Sequence, residues 1–395
     1  MGWRERLIEF FGLKKSIVAL LAMVILVGLG EKMAERFLPI YLLALGGGIL
    51  SIGFLNGMDN LLSALYSFPG GYLSDRIGHK RALVVFNLIA LTGYLIVILF
   101  PHWVAVLIGA VFFLSWTAIS LPATMSLVSR SLPPQKRTMG VSLHSLTRRI
   151  PMALGPVLGG LLIGMYGDRT GIRLAFVAAF LLGVLSLILQ QAMLEDDGAR
   201  HTAEKKPTHL WRAMGPELRN LLVSDILIRF AEQIPYAFVV VWCIKHNGIS
   251  AVQFGVLTTV EMVTAMLVYI PVAWLADRST KKPFVLITFV NFTVFPLFLL
   301  FSHSFGMLVV AFVIRGLKEF GEPTRKALIM DLAPEDGKAG MFGLYYLIRD
   351  VVVSGAAFAG GFLWQLSPAV NLLAATACGL LGTVYFALRG RDLKR

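Results

Sequence analysis

Charge is scarce in this chain. Asp, Glu, Lys and Arg make up 15% of its 395 residues, while 57% are hydrophobic; a soluble globular protein carries about 25% charged residues. That deficit excludes a water-soluble fold and an intrinsically disordered chain. Acid is scarcer than base, with 23 acidic against 36 basic side chains. The basic residues fall in short clusters between long apolar runs, which excludes a nucleic-acid-binding surface. Cysteine is nearly absent: Cys243 and Cys378 lie far apart in apolar runs and suggest neither a disulfide framework nor a thiolate metal site. No Gly-x-x-x-x-Gly-Lys-Ser/Thr loop occurs, so the chain does not hydrolyse ATP by that device, and no His-Glu-x-x-His zinc spacing appears. No cofactor and no metal is expected.

What remains is a membrane protein. A helix needs about 20 apolar residues to cross a bilayer, so spans with short connectors use roughly 30 residues each. Apolar runs between Gly, Pro and charge give twelve candidate spans, at roughly 16–44, 50–73, 82–101, 104–128, 139–165, 172–193, 219–245, 250–275, 284–302, 305–330, 340–365 and 369–389. Connectors on one side carry most of the basic residues, from Arg4, Arg6, Lys14 and Lys15 through Arg76, Lys80, Arg81, Lys136 and Lys205 to Arg389 and Arg395. The other side has little beyond Arg169, Arg173 and Lys245. The asymmetry predicts an even number of spans with both termini cytoplasmic, and it accounts for the net positive charge as a topology signal. Residues 1–15, with Trp3, Phe10 and Phe11 among basic groups, read as an uncleaved interfacial segment. The Asn-Phe-Thr sequon at Asn291 sits inside an apolar run, out of reach of glycosylation.

The longest connector, from Leu194 to Arg219, has no apolar periodicity. It divides the chain into a six-helix bundle at 1–193, a cytoplasmic linker at 194–218 and a second six-helix bundle at 219–395. A shift of about 202 residues places Gly53 on Gly255, Asp59 on Glu261, and Asp75-Arg76 on Asp277-Arg278. A shift of 201 places Pro122 on Pro323, Arg148 on Arg349, and Gly159-Gly160 on Gly360-Gly361. The halves are therefore read as internal repeats.

At the end of the second span stands Gly71-Tyr72-Leu73-Ser74-Asp75-Arg76-Ile77-Gly78-His79-Lys80-Arg81. This resembles the signature loop of the major facilitator superfamily, and a degraded copy runs from Ala273 through Asp277-Arg278 to Lys281-Lys282. Gly155-Pro156-Val157-Leu158-Gly159-Gly160 is similar to the core of the motif associated with that family's proton-coupled antiporters. The resemblance covers the whole chain. It implies an all-α membrane protein of twelve transmembrane helices in two pseudo-symmetric bundles. It further implies that Gly71, Asp75, Arg76, Gly78, Lys80 and Arg81, with Asp277 and Arg278, form a conformational latch. Physically, small residues allow close helix approach, and an acid at a helix end can accept from an adjacent helix N-terminus. Two departures stand out: Arg130 occupies the place matching Asp331, and Pro151 replaces one of the antiporter motif's upstream glycines.

A charge at a helix centre costs about 2.5–3.5 kcal/mol on insertion scales and should face a cavity or a partner. Such residues are numerous here: Glu31, Lys32, Glu35 and Arg36 on the first span, Asp59 on the second, His144, Arg148 and Arg149 on the fifth, and Asp225, Arg229 and Glu232 on the seventh. Glu261 follows on the eighth, Arg315, Lys318, Glu319 and Glu322 on the tenth, and Arg349 and Asp350 on the eleventh. The third, sixth, ninth and twelfth have none in their cores, which matches a bundle whose every third helix faces lipid. The seventh-span and tenth-span sets have the spacing of one helical stripe each. Internal ion pairing alone would explain any one of these residues. It explains the whole set less well, because ion pairs are a costly route to stability in a bilayer.

Burial raises a carboxylate's pKa and a nearby cation lowers it, so an embedded acid beside a movable cation can switch protonation. Asp59 and Glu261 are the first candidates for proton coupling, then Glu31 and Glu35. Candidate substrate-binding residues are Lys32, Arg36, Arg148, Arg149, Arg229, Glu232, Arg315, Lys318, Glu319, Arg349 and Asp350. Arginine is apt there because its fork fits carboxylate or phosphate. Tyr41, Trp116, Tyr236, Trp242, Tyr345 and Tyr346 offer aromatic walls or packing. The reading is a secondary transporter, not an enzyme, exposing a cavity alternately to each side and driven by protons. It moves a charged, zwitterionic or amphiphilic small molecule, with export favoured, works as a monomer, and sits in the bacterial cytoplasmic membrane. Alternatives are a proton-coupled importer of an organic anion and a polytopic enzyme acting on lipids.

Overall fold

The computed structural model describes residues 15–114, 116, 137–193, 214–276, 280–333 and 338–391. No strand occurs among them. In chain order the helices are α1 Lys15–Glu35, α2 Leu38–Ala44, α3 Ile49–Ile77, α4 His79–Leu99, α5 Trp103–Phe113 and α6 Arg137–Met193. Then follow α7 Pro216–Gln233, α8 Ala251–Ala276, α9 Lys282–Leu300, α10 Phe305–Leu317, α11 Glu322–Leu332, α12 Lys338–Leu366 and α13 Pro368–Arg389. Between α7 and α8 the chain continues through a 3-10 turn at Tyr236–Phe238, a short α turn at Val239–Val241 and a π-helical turn at Trp242–His246.

A straight helix of 57 residues, the length of α6, would reach about 85 Å at 1.5 Å per residue, far beyond a hydrocarbon core of about 30 Å. Gly167, at φ 80°, breaks it, and the chain doubles back: a β-carbon on Gly171 would lie 2.6 Å from Cα of Ile163. Counted with this break, the described elements form twelve helical rods. Among the described residues, seven segments are long and apolar enough to cross a membrane: Lys80–Leu99, Thr147–Met193, Pro216–His246, Ala251–Val268, Lys282–Leu300, Met341–Leu366 and Pro368–Arg389. Their outward residues are apolar, with Leu388 78%, Leu366 75% and Leu267 70% exposed, as suits contact with lipid tails.

Three rods depart from the continuous spans expected. The first is interrupted at Arg36-Phe37, with Pro39 in the opening turn of α2. The seventh ends as an α-helix at Gln233, just before Ile234-Pro235. The tenth breaks at Lys318–Gly321, with Pro323 in the first turn of α11. Proline lacks the N–H that a continuing helix requires, so each break falls just ahead of one. The tenth-span stripe is therefore corrected. Arg315 lies on α10, Lys318 and Glu319 in the turn, and Glu322 on α11, so 3.6-residue periodicity does not relate them.

The chain divides into two compact units. One comprises Met1–Gly46, Leu62–Ala203 and Ala251–Gly255; the other comprises Gly47–Leu61, Glu204–Ser250 and Val256–Arg395. In the first, α6 lies against α1, and glycine makes the approach possible: a β-carbon on Gly155 would sit 2.7 Å from Cβ of Lys32 and 2.9 Å from its carbonyl carbon. Buried Asn87, Gln190 and Trp116 join α4, α6 and the end of the fourth rod. Asn87 donates to Gln190 at 2.9 Å and accepts from the Trp116 indole at 2.6 Å. Trp116 is thus a packing residue, not a cavity wall. Tyr41, Tyr94, Phe113 and Phe176 cluster with ring centroids 5.2–6.1 Å apart.

In the second unit α7 packs against α9, α12 and α13 around a core that includes Leu218, Leu221, Phe289, Leu328, Met341, Tyr345 and Phe386. At the end of α7, buried Asn371 donates to the carbonyls of Ile234 at 3.2 Å and Gly360 at 2.8 Å. Asn56 donates to the carbonyl of Gln233 at 2.8 Å. The bonds to Gln233 and Ile234 serve carbonyls that the helix break frees, while the one to Gly360 ties α13 to α12. Gly53 meets Gly361 backbone to backbone; a β-carbon on Gly53 would lie 2.6 Å from its Cα. Gly355, by contrast, has nothing within 4 Å of a β-carbon position. It is exposed and forms no close-packing surface.

Candidate functional site

Among its described residues the second unit gathers eleven charged side chains into one continuous chain of ion pairs. α7 supplies Asp225, Arg229 and Glu232, spaced so that one helical face carries all three. Asp225, 1% exposed, accepts from Arg325 of α11, from the Tyr345 hydroxyl at 3.0 Å and from Arg349 at 3.4 Å, both on α12. Arg325, also 1% exposed, forks onto Glu322 with Nε at 3.1 Å and Nη2 at 2.7 Å. Arg349 reaches Asp350 at 2.7 Å and lies 4.2 Å above the Tyr346 ring. Arg229 joins Glu322 at 3.4 Å and Glu232 at 2.6 Å.

From Glu232 the chain continues through the break in the tenth rod. Lys318 Nζ lies 2.7 Å from Glu232 and 3.4 Å from Glu261, and Arg315 Nε is 3.3 Å from Glu261. Aromatic faces support these cations. Arg315 lies 5.2–5.6 Å from the rings of Tyr236, Phe295 and Phe312, and Phe292 faces both Arg229 at 5.3 Å and Lys318 at 5.8 Å. Glu232, Val239, Asn291, Phe292, Phe295, Arg315 and Lys318 line a small cleft. Asp225, Glu232, Glu261, Glu322 and Asp350 face Arg229, Arg315, Lys318, Arg325 and Arg349. Lys326 adds a sixth cation, 3.4 Å from Glu322, so the network carries one net positive charge when every carboxylate is ionised, and one proton more or less shifts it by a full charge in a low-dielectric interior.

In the first unit, Lys32 lies between two acids of its own helix, 3.1 Å from Glu31 and also paired with Glu35. Glu31 is 3% exposed, and Arg148 lies within electrostatic reach of it. Arg36 and Arg149 are partly buried. Asp59 is partly buried too, but belongs to the second unit with Glu261, whereas Glu31 and Glu35 belong to the first. Each unit therefore holds two of the four acids chosen from sequence. Glu319 is partly buried in the turn after α10.

Sequence reasoning missed Arg325, the most central cation of the network. It lies past Pro323, where the tenth span was read as nearing its end. Its signal was Glu322 three residues before it, in i,i+3 register on a short helix.

Of the latch residues, Gly71 and Asp75 lie within α3, and Arg76 and Arg81 are exposed. Gly78 takes φ 88° at the start of α4, where glycine alone is unstrained. Lys80 donates to the carbonyl of Gln191 near the end of α6 at 3.3 Å. In the other unit Lys282 donates to the carbonyl of Ala387 near the end of α13 at 2.8 Å, and Lys281 pairs with Asp331. Asp277 and Arg278 lie outside the described residues.

The sequence profile of the Major Facilitator Superfamily matches residues 20–231 and again 221–395. The chain belongs to the Major Facilitator Superfamily. It is a multi-pass integral membrane transporter with a small-molecule substrate. A superfamily transporter of Methanocaldococcus jannaschii whose substrate is uncharacterised is 22% identical over 359 residues, 87% of either chain. The quinolone resistance protein NorA of Staphylococcus aureus is 26% identical over 154 residues, covering 38% of this chain and 39% of NorA. Among solved structures a mutant of the nucleoside transporter NupG aligns at a TM-score of 0.81 with 12% identity. That alignment covers 95% of this chain and 100% of NupG, and such a likeness establishes the shared superfamily fold.

Proposed function

We propose that this protein is a proton-coupled secondary transporter that works by alternating access and exports a charged, zwitterionic or amphiphilic small molecule. The observation that carries the reading is the buried network of five carboxylates and their cations on membrane helices. Buried ion pairs contribute little net stability, and apolar packing would serve a static bundle as well. A network in which Lys318 is shared by Glu232 and Glu261 can instead exchange partners as protons and solute arrive. Glu261 and Asp59, with Glu31 and Glu35, are the proposed proton-coupling acids. Arg229, Glu232, Arg315, Lys318, Glu319, Arg349 and Asp350, with Lys32, Arg36, Arg148 and Arg149, are the proposed contacts to solute. Gly71, Asp75, Arg76, Gly78, Lys80 and Arg81, with Asp277 and Arg278, are the proposed latch.

Export is supported by the Gly-Pro-x-x-Gly-Gly run at 155–160 and by the similarity to NorA, whose name records quinolone resistance. A fluoroquinolone, an amphiphilic zwitterion, is accordingly the first probe. The protein is proposed to act as a monomer in the cytoplasmic membrane, where the basic connectors favour a defined orientation. The test is counterflow of a fluoroquinolone and of a panel of organic anions in proteoliposomes, with and without an imposed pH gradient. Gradient-dependent movement of a solute supports the reading. Full gradient-driven transport by both Asp59→Asn and Glu261→Gln overturns the assignment of those acids.

A further inference from the structure

We infer that the end of the first unit opposite Lys80 carries a binding site for the phosphate of an anionic phospholipid, built on Arg169 and Arg173. The site faces the bilayer and does not depend on which solute is moved.

These arginines are an exception to the charge asymmetry of the connectors, because the side on which they fall has little other basic charge. Positive charge there opposes the usual orientation signal, so its presence calls for a local reason. Helix α4 fixes their depth. Its 21 residues rise about 31 Å at 1.5 Å per residue, close to a hydrocarbon core of about 30 Å. Lys80 stands at the start of α4 and Ile98 near its far end. Arg173 Nε donates to the carbonyl of Ile98 at 2.9 Å, and Arg169 Nη2 donates at 2.9 Å to the carbonyl of Ala44, the last residue of α2. Both guanidiniums are thereby held at headgroup depth.

Each arginine spends one N–H in this way, on a carbonyl that a helix end leaves free. Elsewhere a lysine does the same work: Lys80 holds Gln191 and Lys282 holds Ala387. Stapling alone does not call for arginine. The rest of each fork belongs to an exposed side chain, and the i,i+4 spacing sets the two on one helical face. They follow directly on the Gly167 break, in the opening turns of that rod, where the helix dipole also favours an anion. Tyr41, one turn before Ala44, is fully buried; its hydroxyl makes no hydrogen bond, and both arginines lie within its electrostatic reach. It is a spare donor near the same end of the unit.

Two pinned forks fit the oxygens of one phosphodiester. The adjacent surface decides for a lipid over a free ion. Leu99, Phe100, Met165 and Tyr166 are exposed, an apolar flank for acyl chains with aromatic rings at the interface. Asp168 is the acid beside the pair, and it is partly buried. Two cations and one acid leave one positive charge, which matches the single negative charge of phosphatidylglycerol.

The test is native mass spectrometry of the full-length protein titrated with phosphatidylglycerol, and in parallel with phosphatidylcholine, for wild type, R169K/R173K and R169Q/R173Q. Lysine keeps the charge and can keep each staple, but it lacks the fork. The lysine variant should melt with the wild type in lipid-free micelles, while its affinity for phosphatidylglycerol falls about tenfold. The glutamine variant should lose more affinity and melt lower. K245Q removes a basic residue from the same side but in the second unit, and should bind as the wild type does. Wild-type affinity in both arginine variants overturns the site; if the glutamine variant does not fold, wild-type affinity in the lysine variant overturns it equally. Equal affinity of the wild type for phosphatidylcholine, or displacement of the lipid by excess inorganic phosphate, overturns the assignment to an anionic lipid.

Discussion

Replacing Arg325 by methionine removes the cation that holds Asp225 and Glu322 together. The guanidinium is 1% exposed and makes an ion pair with Asp225, two hydrogen bonds to Glu322 at 3.1 and 2.7 Å, and a longer one to Tyr346 at 3.4 Å. Methionine fills much of the same space, so packing is largely conserved and the change reports charge. Breaking a buried pair by deleting one partner costs about 3–5 kcal/mol, because the other is left uncompensated. Here the low end applies. Asp225 keeps Tyr345 at 3.0 Å and Arg349 at 3.4 Å, and Glu322 keeps Arg229 and Lys326, each at 3.4 Å. The expected loss is about 3 kcal/mol, read from reversible unfolding in mixed micelles. Combining Arg325→Met with Asp225→Asn should recover part of it, with a coupling energy of about 1–3 kcal/mol. A single-variant loss below about 1 kcal/mol, or strict additivity in the double variant, would show that the network does not hold these charges as described.

Other expectations follow from packing and from the helix breaks. Gly53→Val drives a side chain into the backbone of Gly361, 2.6 Å from a β-carbon at that site. It should lower stability by about 1–3 kcal/mol, whereas Gly355→Ala, in mid-helix with open space around it, should raise stability by about 0.4–1 kcal/mol. Asn371→Leu strips the donors from the carbonyls of Ile234 and Gly360 and should cost about 1–3 kcal/mol in the same unfolding assay; an unchanged midpoint would mean those carbonyls are served otherwise. Lys282→Met removes the α9 cation that donates to the last turn of α13 and should cost about 0.3–1 kcal/mol, less in high salt. A loss that salt does not reduce would argue against the dipole account.

Much of the frame was legible because spans and breakers are local signals. Apolar runs set the rods, and glycine at Gly78 and Gly167 set two of the connections. The stripe of Asp225, Arg229 and Glu232 held because α7 stays helical to Gln233. The stripe drawn through Arg315, Lys318, Glu319 and Glu322 failed because the chain unwinds at Lys318–Gly321, and periodicity carries no information across a break. The partners across helices were not legible at all. That Arg325 meets Asp225 depends on how α11 sits against α7, and no spacing in the sequence encodes it. The same is true of Asn371, an isolated amide in an apolar helix until the broken end of α7 beside it is seen.

The central claim is that proton binding in the second unit drives solute movement. The most direct measurement is solute flux in proteoliposomes preloaded with a fluoroquinolone, begun by imposing a pH gradient and repeated with the gradient collapsed by a protonophore. The account predicts flux that follows the gradient in wild type, falls when the protonophore is present and loses its gradient dependence in Glu261→Gln. Flux identical with and without the gradient in the wild-type protein would contradict it.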